Sequence, residues 1–190
     1  MLGFKILIFM KNYFFILFFN CLILFSQDVD IINPSMEIGI TNWRMVNDNV
    51  MGGISSSEMY INNEKNLLFI GKVSLDNNGG FASCRMSIEK GTLEGVKSFK
   101  IRLKGDGKTY KFRLSEGYRS ANYSADFKTN NGTWIDIEIP LKKLQPTFMG
   151  YYSRSSPKIK IENMRLIGFQ ISDKQEGNFD LEIMSVKGIY

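Results

Sequence analysis

The chain has 190 residues, with 24 Lys and Arg against 19 Asp and Glu, two cysteines and no histidine. Without histidine, Ser-His-Asp and Cys-His catalysis and His-ligated zinc are closed, and acid–base chemistry would have to come from carboxylates, Lys or Tyr. A net charge of +5 is too mild to imply a nucleic-acid partner, and two cysteines are too few for a Cys-rich metal centre.

The first acidic residue is Asp28. Before it, Lys5 and Lys11 precede an apolar run from Tyr13 to Phe25 that only Asn20 interrupts. A basic segment followed by an apolar one predicts a secretory signal peptide over residues 1–27. An uncleaved N-terminal anchor is the competing reading. Met10-Lys11-Asn12 offers a second start, and Phe25-Ser26-Gln27 lacks a small-residue cleavage pattern. Cys21 follows Phe18-Phe19-Asn20, a poor lipoprotein match. The expectation is export, to a periplasmic, outer-membrane-associated or secreted location. Residues 28–190 then form one domain, with a charge of 22 − 19, or +3, once Lys5 and Lys11 are gone. Cys84 is its one cysteine, so its core has to hold without an internal disulfide.

Two glycine-rich segments come next. The first runs from Trp43 through Asn47-Asp48-Asn49-Val50-Met51-Gly52-Gly53 to Ser57, and the second carries Asn77-Asn78-Gly79-Gly80-Phe81. Paired glycines permit positive φ and close backbone approach, and Asn or Asp before them can bond the turn's own N–H groups. From about residue 66 strand signals dominate. Phe99-Lys100-Ile101-Arg102-Leu103-Lys104 alternates with period two, Gly105-Asp106-Gly107 breaks the run, and Tyr110-Lys111-Phe112-Arg113-Leu114 resumes it. This pattern predicts a β-hairpin. Its five basic residues would share one exposed face, with Asp126, Asp136 and Glu138 as cross-strand partners and the aromatics opposite. A patch for an anionic glycan, phospholipid or nucleic acid is the alternative reading of that face, though the opposite placement of the aromatics leaves no stacking platform for bases; association with a membrane surface would use the same charges.

Further alternation falls at Tyr123/Ala125/Phe127, Ile135/Ile137/Ile139, Ile159/Ile161, Ile167/Phe169/Ile171 and Phe179/Leu181/Ile183. Asn131-Gly132, Pro140, Pro146, Pro157 and Glu176-Gly177 punctuate it. Leu141 to Leu144 reads as a short helical piece. Many short strands with such punctuation predict an all-β sandwich or jelly roll. Gly107-Lys108-Thr109 is not a phosphate loop, because position 102 is Arg and a strand follows.

The two glycine segments together resemble the complex I intermediate-associated protein 30 family. Its pattern is a tryptophan, then Asp-x-Val-Met-Gly-Gly-x-Ser, then Asn-x-Gly-Gly-Phe-Ala-Ser. The resemblance continues through Gly105-Asp106-Gly107, Trp134 with Ile139-Pro140, Phe148-Met149-Gly150 and Ile167 to Phe179, so it spans roughly residues 35–190. It implies a galactose-binding-domain-like jelly roll. It also implies an assembly role, since the eukaryotic member is a mitochondrial assembly factor for NADH:ubiquinone oxidoreductase. The leader predicted here differs from an Arg- and Ser-rich transit peptide, so the fold transfers more readily than the partner.

The candidate binding residues are Trp43, Asn47, Asp48, Gly52, Gly53, Asn77, Asn78, Gly79, Gly80, Tyr151 and Tyr152. For the loop residues two readings stand side by side: tight turns fixing register, with Asp48 capping N–H groups, or a surface for sugar hydroxyls or peptide backbone. Trp43, Tyr110, Tyr123 and Trp134 suit core positions as well as sugar stacking, whereas Tyr151 and Tyr152 beside Gly150 are the expected exposed pair. No cofactor or metal is expected. Asp48, Asp106 and Asp173 lack the spacing of a calcium loop. The expected function is noncatalytic: a protein-interaction or chaperone-like assembly factor with a protein client. The alternative is a carbohydrate-binding module with a glycan ligand.

Overall fold

The computed structural model describes residues 28–117, 120, 122–148, 151–153 and 155–190. The leader expected at 1–27 and the Met149-Gly150 part of the motif after Phe148 lie outside the described residues. No helix among the described residues is long and apolar enough to cross a membrane.

Thirteen strands and five short 3-10 turns make up the regular structure of the described residues. The strands are β1 (Asp28–Ile32), β2 (Trp43–Met45), β3 (Ser56–Ile61), β4 (Leu67–Val73), β5 (Ala82–Ser87), β6 (Ser98–Gly105) and β7 (Thr109–Ser115). After these come β8 (Asn122–Lys128), β9 (Trp134–Pro140), β10 (Gln145–Phe148), β11 (Tyr151–Tyr152), β12 (Leu166–Ile171) and β13 (Gly177–Ile189). They form a jelly-roll sandwich of two antiparallel sheets. The six-stranded sheet runs β3-β4-β13-β6-β9, with β1 also paired to β13. The seven-stranded sheet runs β11-β10-β8-β7-β12-β5-β2.

Alternation explains which residues meet between the sheets. Phe99, Ile101 and Leu103 of β6 face inward, as do Tyr110, Phe112 and Leu114 of β7 and Phe179, Leu181 and Ile183 of β13. Phe99 and Phe112 touch across the sandwich with ring centroids 4.9 Å apart, and Phe112 continues edge-on to Phe169. Each such ring removes a large apolar area from water, and fully burying one stabilises by about 1.5–3 kcal/mol.

The predicted hairpin is corrected. β6 lies in the six-stranded sheet and β7 in the seven-stranded one, so Gly105-Asp106-Gly107 is a corner that carries the chain from one layer to the other. Two strands facing one core from opposite layers alternate just as a hairpin does, so periodicity alone does not separate the cases. Packing does. A Cβ on Gly105 would fall 2.7 Å from the Thr129 side chain. Thr129 Oγ1 accepts from Gly107 N–H at 3.0 Å and donates to the Lys108 carbonyl at 2.9 Å. Asp106 accepts from Lys108 N–H at 3.1 Å and from the Tyr110 hydroxyl at 2.9 Å.

The five basic residues are therefore divided between two outer faces. On one, Arg102 pairs with Asp136 and Lys100 faces Glu138. On the other, Lys111 pairs with Asp126 at 2.9 Å. An aromatic also shares the first face: the Lys104 ammonium lies 4.9 Å from the Trp134 ring centroid.

Two smaller differences have similar origins. Ile159 and Ile161 pack against the core, but from an irregular segment that ends in a 3-10 turn at Ile161–Asn163, because alternate inward side chains need no ladder partner. β3 is a half-exposed edge strand with little apolar alternation to announce it. The short helical piece expected at 141–144 is a 3-10 turn, Leu141–Lys143.

Candidate functional site: a carboxylate that clamps two glycine loops

β2 pairs with β5, with Trp43 opposite Met86 and Met45 opposite Cys84. The contact continues past the strand ends. Val46 N–H donates to the Ser83 carbonyl at 2.8 Å, the Ser83 hydroxyl to the Val46 carbonyl at 2.6 Å, and Asp48 N–H to the Phe81 carbonyl at 3.3 Å. This brings the first glycine segment alongside the second. The chain then winds one 3-10 turn over Asp48–Met51 and leaves it through Gly52 at φ +92°.

Asp48 is 0% exposed and joins the two loops. Its Oδ1 accepts from Ser55 N–H at 2.9 Å. Its Oδ2 accepts from the Ser55 hydroxyl, from Gly80 N–H at 2.7 Å and from Phe81 N–H at 3.2 Å. The Ser55 hydroxyl in turn accepts from Ser74 N–H at 3.0 Å, which ties the clamp to the end of β4. Burial alone would raise the Asp48 carboxyl. The Ser55 hydroxyl and the N–H groups of Gly80, Ser55 and Phe81 outweigh it and hold the group below the usual carboxylate range.

The two glycine pairs follow one logic. In each pair one member takes a backbone turn that side chains disfavour, Gly52 at φ +92° and Gly80 at φ +134°. The other member makes room for the carboxylate. A Cβ on Gly53 would sit 2.4 Å from Asp48 Cγ, and one on Gly79 would sit 2.8 Å from Asp48 Oδ2.

The sequence candidates therefore fall into separate places. Asn47, Asp48, Gly52 and Gly53 meet Asn77, Asn78, Gly79 and Gly80 in one cluster. Asn47 is buried, with its side-chain oxygen accepting from the Ser57 hydroxyl at 2.8 Å. Asn77 and Asn78 are exposed, at φ +54° and +60°. Trp43 leads into the cluster, half-buried, with its indole N–H on the Gly39 carbonyl at 2.9 Å. Tyr151 and Tyr152 are on β11, whereas β2 forms the opposite edge of that sheet. Tyr151 is 79% exposed and Phe148 lies beside it in register. Asp106 and Asp173 belong to other networks, with Lys108 at 3.0 Å and Lys111 at 2.8 Å respectively.

Beside the exposed Asn49, the loop presents apolar side chains to solvent. Val50 is 70% exposed, Met51 67% and Ile54 59%, with Leu75 also exposed on the neighbouring segment. Sequence reasoning passed over these residues, because an apolar residue beside a glycine pair reads as core. It also passed over Ser55 and Ser74, whose roles depend on partners far away in the chain.

The chain matches the family described as Complex I intermediate-associated protein 30 over residues 31–183. The protein of Mus musculus named "Complex I intermediate-associated protein 30, mitochondrial" is 24% identical over 168 residues, which cover 76% of this chain and 51% of that one. The chain thus spans about half the length of the curated relative it matches. Among solved structures, a family 11 carbohydrate-binding module of a cellulosomal cellulase of Clostridium thermocellum is similar, with a TM-score of 0.66 and 14% identity. That likeness covers 87% of this chain and 96% of the module. The family 11 module of Clostridium thermocellum in complex with a β-1,3-1,4-mixed-linked tetrasaccharide gives a TM-score of 0.64 at 16% identity, covering 85% and 95%. At such identities the likeness is one of fold: a galactose-binding-like jelly roll.

Proposed function

The chain belongs to the complex I intermediate-associated protein 30 family, and from that premise we propose that it is an exported, noncatalytic interaction domain, an assembly or chaperone-like factor that holds a protein client through the Val50–Ile54 loop. The observation that carries this reading is the saturation of Asp48 by donors of its own chain. Of the polar groups in these loops, Asn47 and Asp48 are buried and engaged, which leaves the exposed Asn49, Asn77 and Asn78 for any sugar hydroxyls. Beside them the loop offers Val50, Met51 and Ile54, on a backbone fixed from beneath. Apolar side chains presented on a rigid support suit a protein partner, because little ordering entropy is lost on docking. The basic leader at 1–27 supports export, and the absence of histidine supports a noncatalytic role.

A glycan-binding role is the second reading. It is favoured by the fold shared with modules that bind sugars and by the exposed Tyr151 and Tyr152, which offer aromatic faces. One experiment separates the two. A photo-reactive residue replacing Met51 should cross-link in cells to a discrete protein client, and Val50→Ser with Ile54→Ser should abolish the product. A saturable glycan-array hit lost on Tyr151→Ala, with no cross-link from position 51, would move the function to the tyrosine edge.

A further inference from the structure

Both sheets end in open strands, and the ends are finished differently. The seven-stranded sheet stops at β2, three residues long, and at β11, two residues long. In the six-stranded sheet, β9 carries Asp136, Glu138 and Pro140, and β1 carries Asp28 and Asp30 with a register shift before Ile32. Short length, charges, proline and bulges each keep an edge from pairing with another chain. β3 has neither proline nor bulge. It runs for six residues, Ser56–Ile61, in unbroken register with β4, and its single charge is Glu58.

Alternate residues of β3 turn their N–H and C=O groups away from β4, and among the described residues no backbone partner takes them. Ser56, Glu58 and Tyr60 share the outer face, and Ser57, Met59 and Ile61 the inner one. Met59 packs against the core, yet Ile61 on the same row is exposed, as is Tyr60. A core-facing side chain left in water marks a flank of the sandwich that the chain does not close by itself.

The open ladder groups call for another strand, and a second copy supplies one that two-fold symmetry makes complementary. With the axis at Met59, antiparallel pairing sets Met59 against Met59, Ser57 against Ile61 and Glu58 against Tyr60 of the second copy. Each Glu58 carboxylate then meets a phenol that can donate to it. An axis at Glu58 would oppose two carboxylates, so charge selects the register. The added strand also brings side chains over the exposed Ile61.

We propose that β3 is a self-pairing edge: two copies of the chain join antiparallel through Ser57–Ile61 about a two-fold axis at Met59, making one continuous sheet of their six-stranded sheets. The contact uses the same patch on both copies, so it closes at two. It stops short of Ile54, leaves both Val50–Ile54 loops free and does not rest on that loop's role. One short ladder lies at the small end of specific interfaces, so the dimer should dissociate on dilution.

Sedimentation equilibrium of the purified protein tests this. Monomer–dimer exchange is expected with a Kd on the order of 1–100 µM. Tyr60→Glu places a carboxylate opposite Glu58 twice in each dimer and should weaken association about tenfold or more. Adding Glu58→Lys to Tyr60→Glu turns both contacts into opposite charges and should restore it. A monomer at every concentration up to about 0.5 mM overturns the proposal, since a weaker contact would not be a specific one. A dimer that Tyr60→Glu leaves intact, or that Glu58→Lys does not rescue, is joined elsewhere and overturns it too. So does a monomer in which a photo-reactive residue at position 60 cross-links in cells to the same product as one at position 51, which gives this edge to the client.

Discussion

Asp48 and Arg113 make an instructive pair. Both are charged groups largely withdrawn from water in the same sandwich, yet their surroundings are opposite. Asp48 has four donors, drawn from Ser55, Gly80 and Phe81, and two glycines cleared of side chains to admit it. Arg113 has the neutral Gln170 and a second arginine in register beyond Gly168. A buried charge compensated by its own chain is part of the fold's support, since removing it strands several donors at once. One opposed by a like charge adds little to the fold that an apolar residue of similar shape would not.

Substitutions at these positions test the contrast directly. The largest effect is expected from Asp48→Ala, which leaves the Ser55, Gly80 and Phe81 donors unpaired in the interior. Chemical denaturation should show a loss of about 3–5 kcal/mol, and a loss under 1 kcal/mol would remove the clamp from the argument.

Acid should act through the same carboxylate and through Glu182. Burial pushes Glu182 up, but the Lys104 ammonium and the Asn66 and Asn62 amides bring it below the usual range. A carboxyl whose folded pKa is depressed stabilises fully above its unfolded value, near 4, and loses that contribution as pH falls through the folded value. Melting temperature should therefore hold steady above about pH 5 and fall below pH 4, with the fall shallower in Asp48→Asn.

At the opposite pole, Arg113→Met should change unfolding free energy by less than about 1 kcal/mol, or raise it, because the repulsion from Arg85 disappears while the apolar stem is replaced. A loss near that of Asp48→Ala would make Arg113 structural and erase the contrast. Smallest of all, Val50→Ser with Met51→Ser should move stability by no more than about 0.5 kcal/mol in melting experiments, since both side chains already face water.

How much of this was legible depends on how local each feature is. Inward residues such as Phe99, Ile101, Phe112 and Phe169 were readable, because period-two alternation is written within single segments. The two glycine segments were readable as turns because Asn, Asp and paired Gly have local conformational meaning. That Asp48 would reach across to Gly80 was not, since 32 residues separate them and only the β2–β5 pairing brings them together. The same limit hid the corner after β6, whose alternation is shared by hairpins, and with it the division of the basic residues between two sheets. It hid the alignment of three arginines most completely. Residues 44, 85 and 113 each look like one polar position in an alternating strand, and only register reveals them as neighbours.

The thirteen-residue β13 pairs with β4 and β1 on one side and with β6 on the other, yet it follows all of them in chain order. During synthesis, β3–β4 and β6–β9 can each pair while the central place between them stays empty. Both pieces then hold open ladder edges, and Phe69 is without the Phe179 ring that packs 4.9 Å from it. Such non-local closure slows folding and leaves edges prone to wrong pairing. Substitutions that weaken β13 should therefore appear first as loss of soluble yield, before any change in the stability of molecules that have folded.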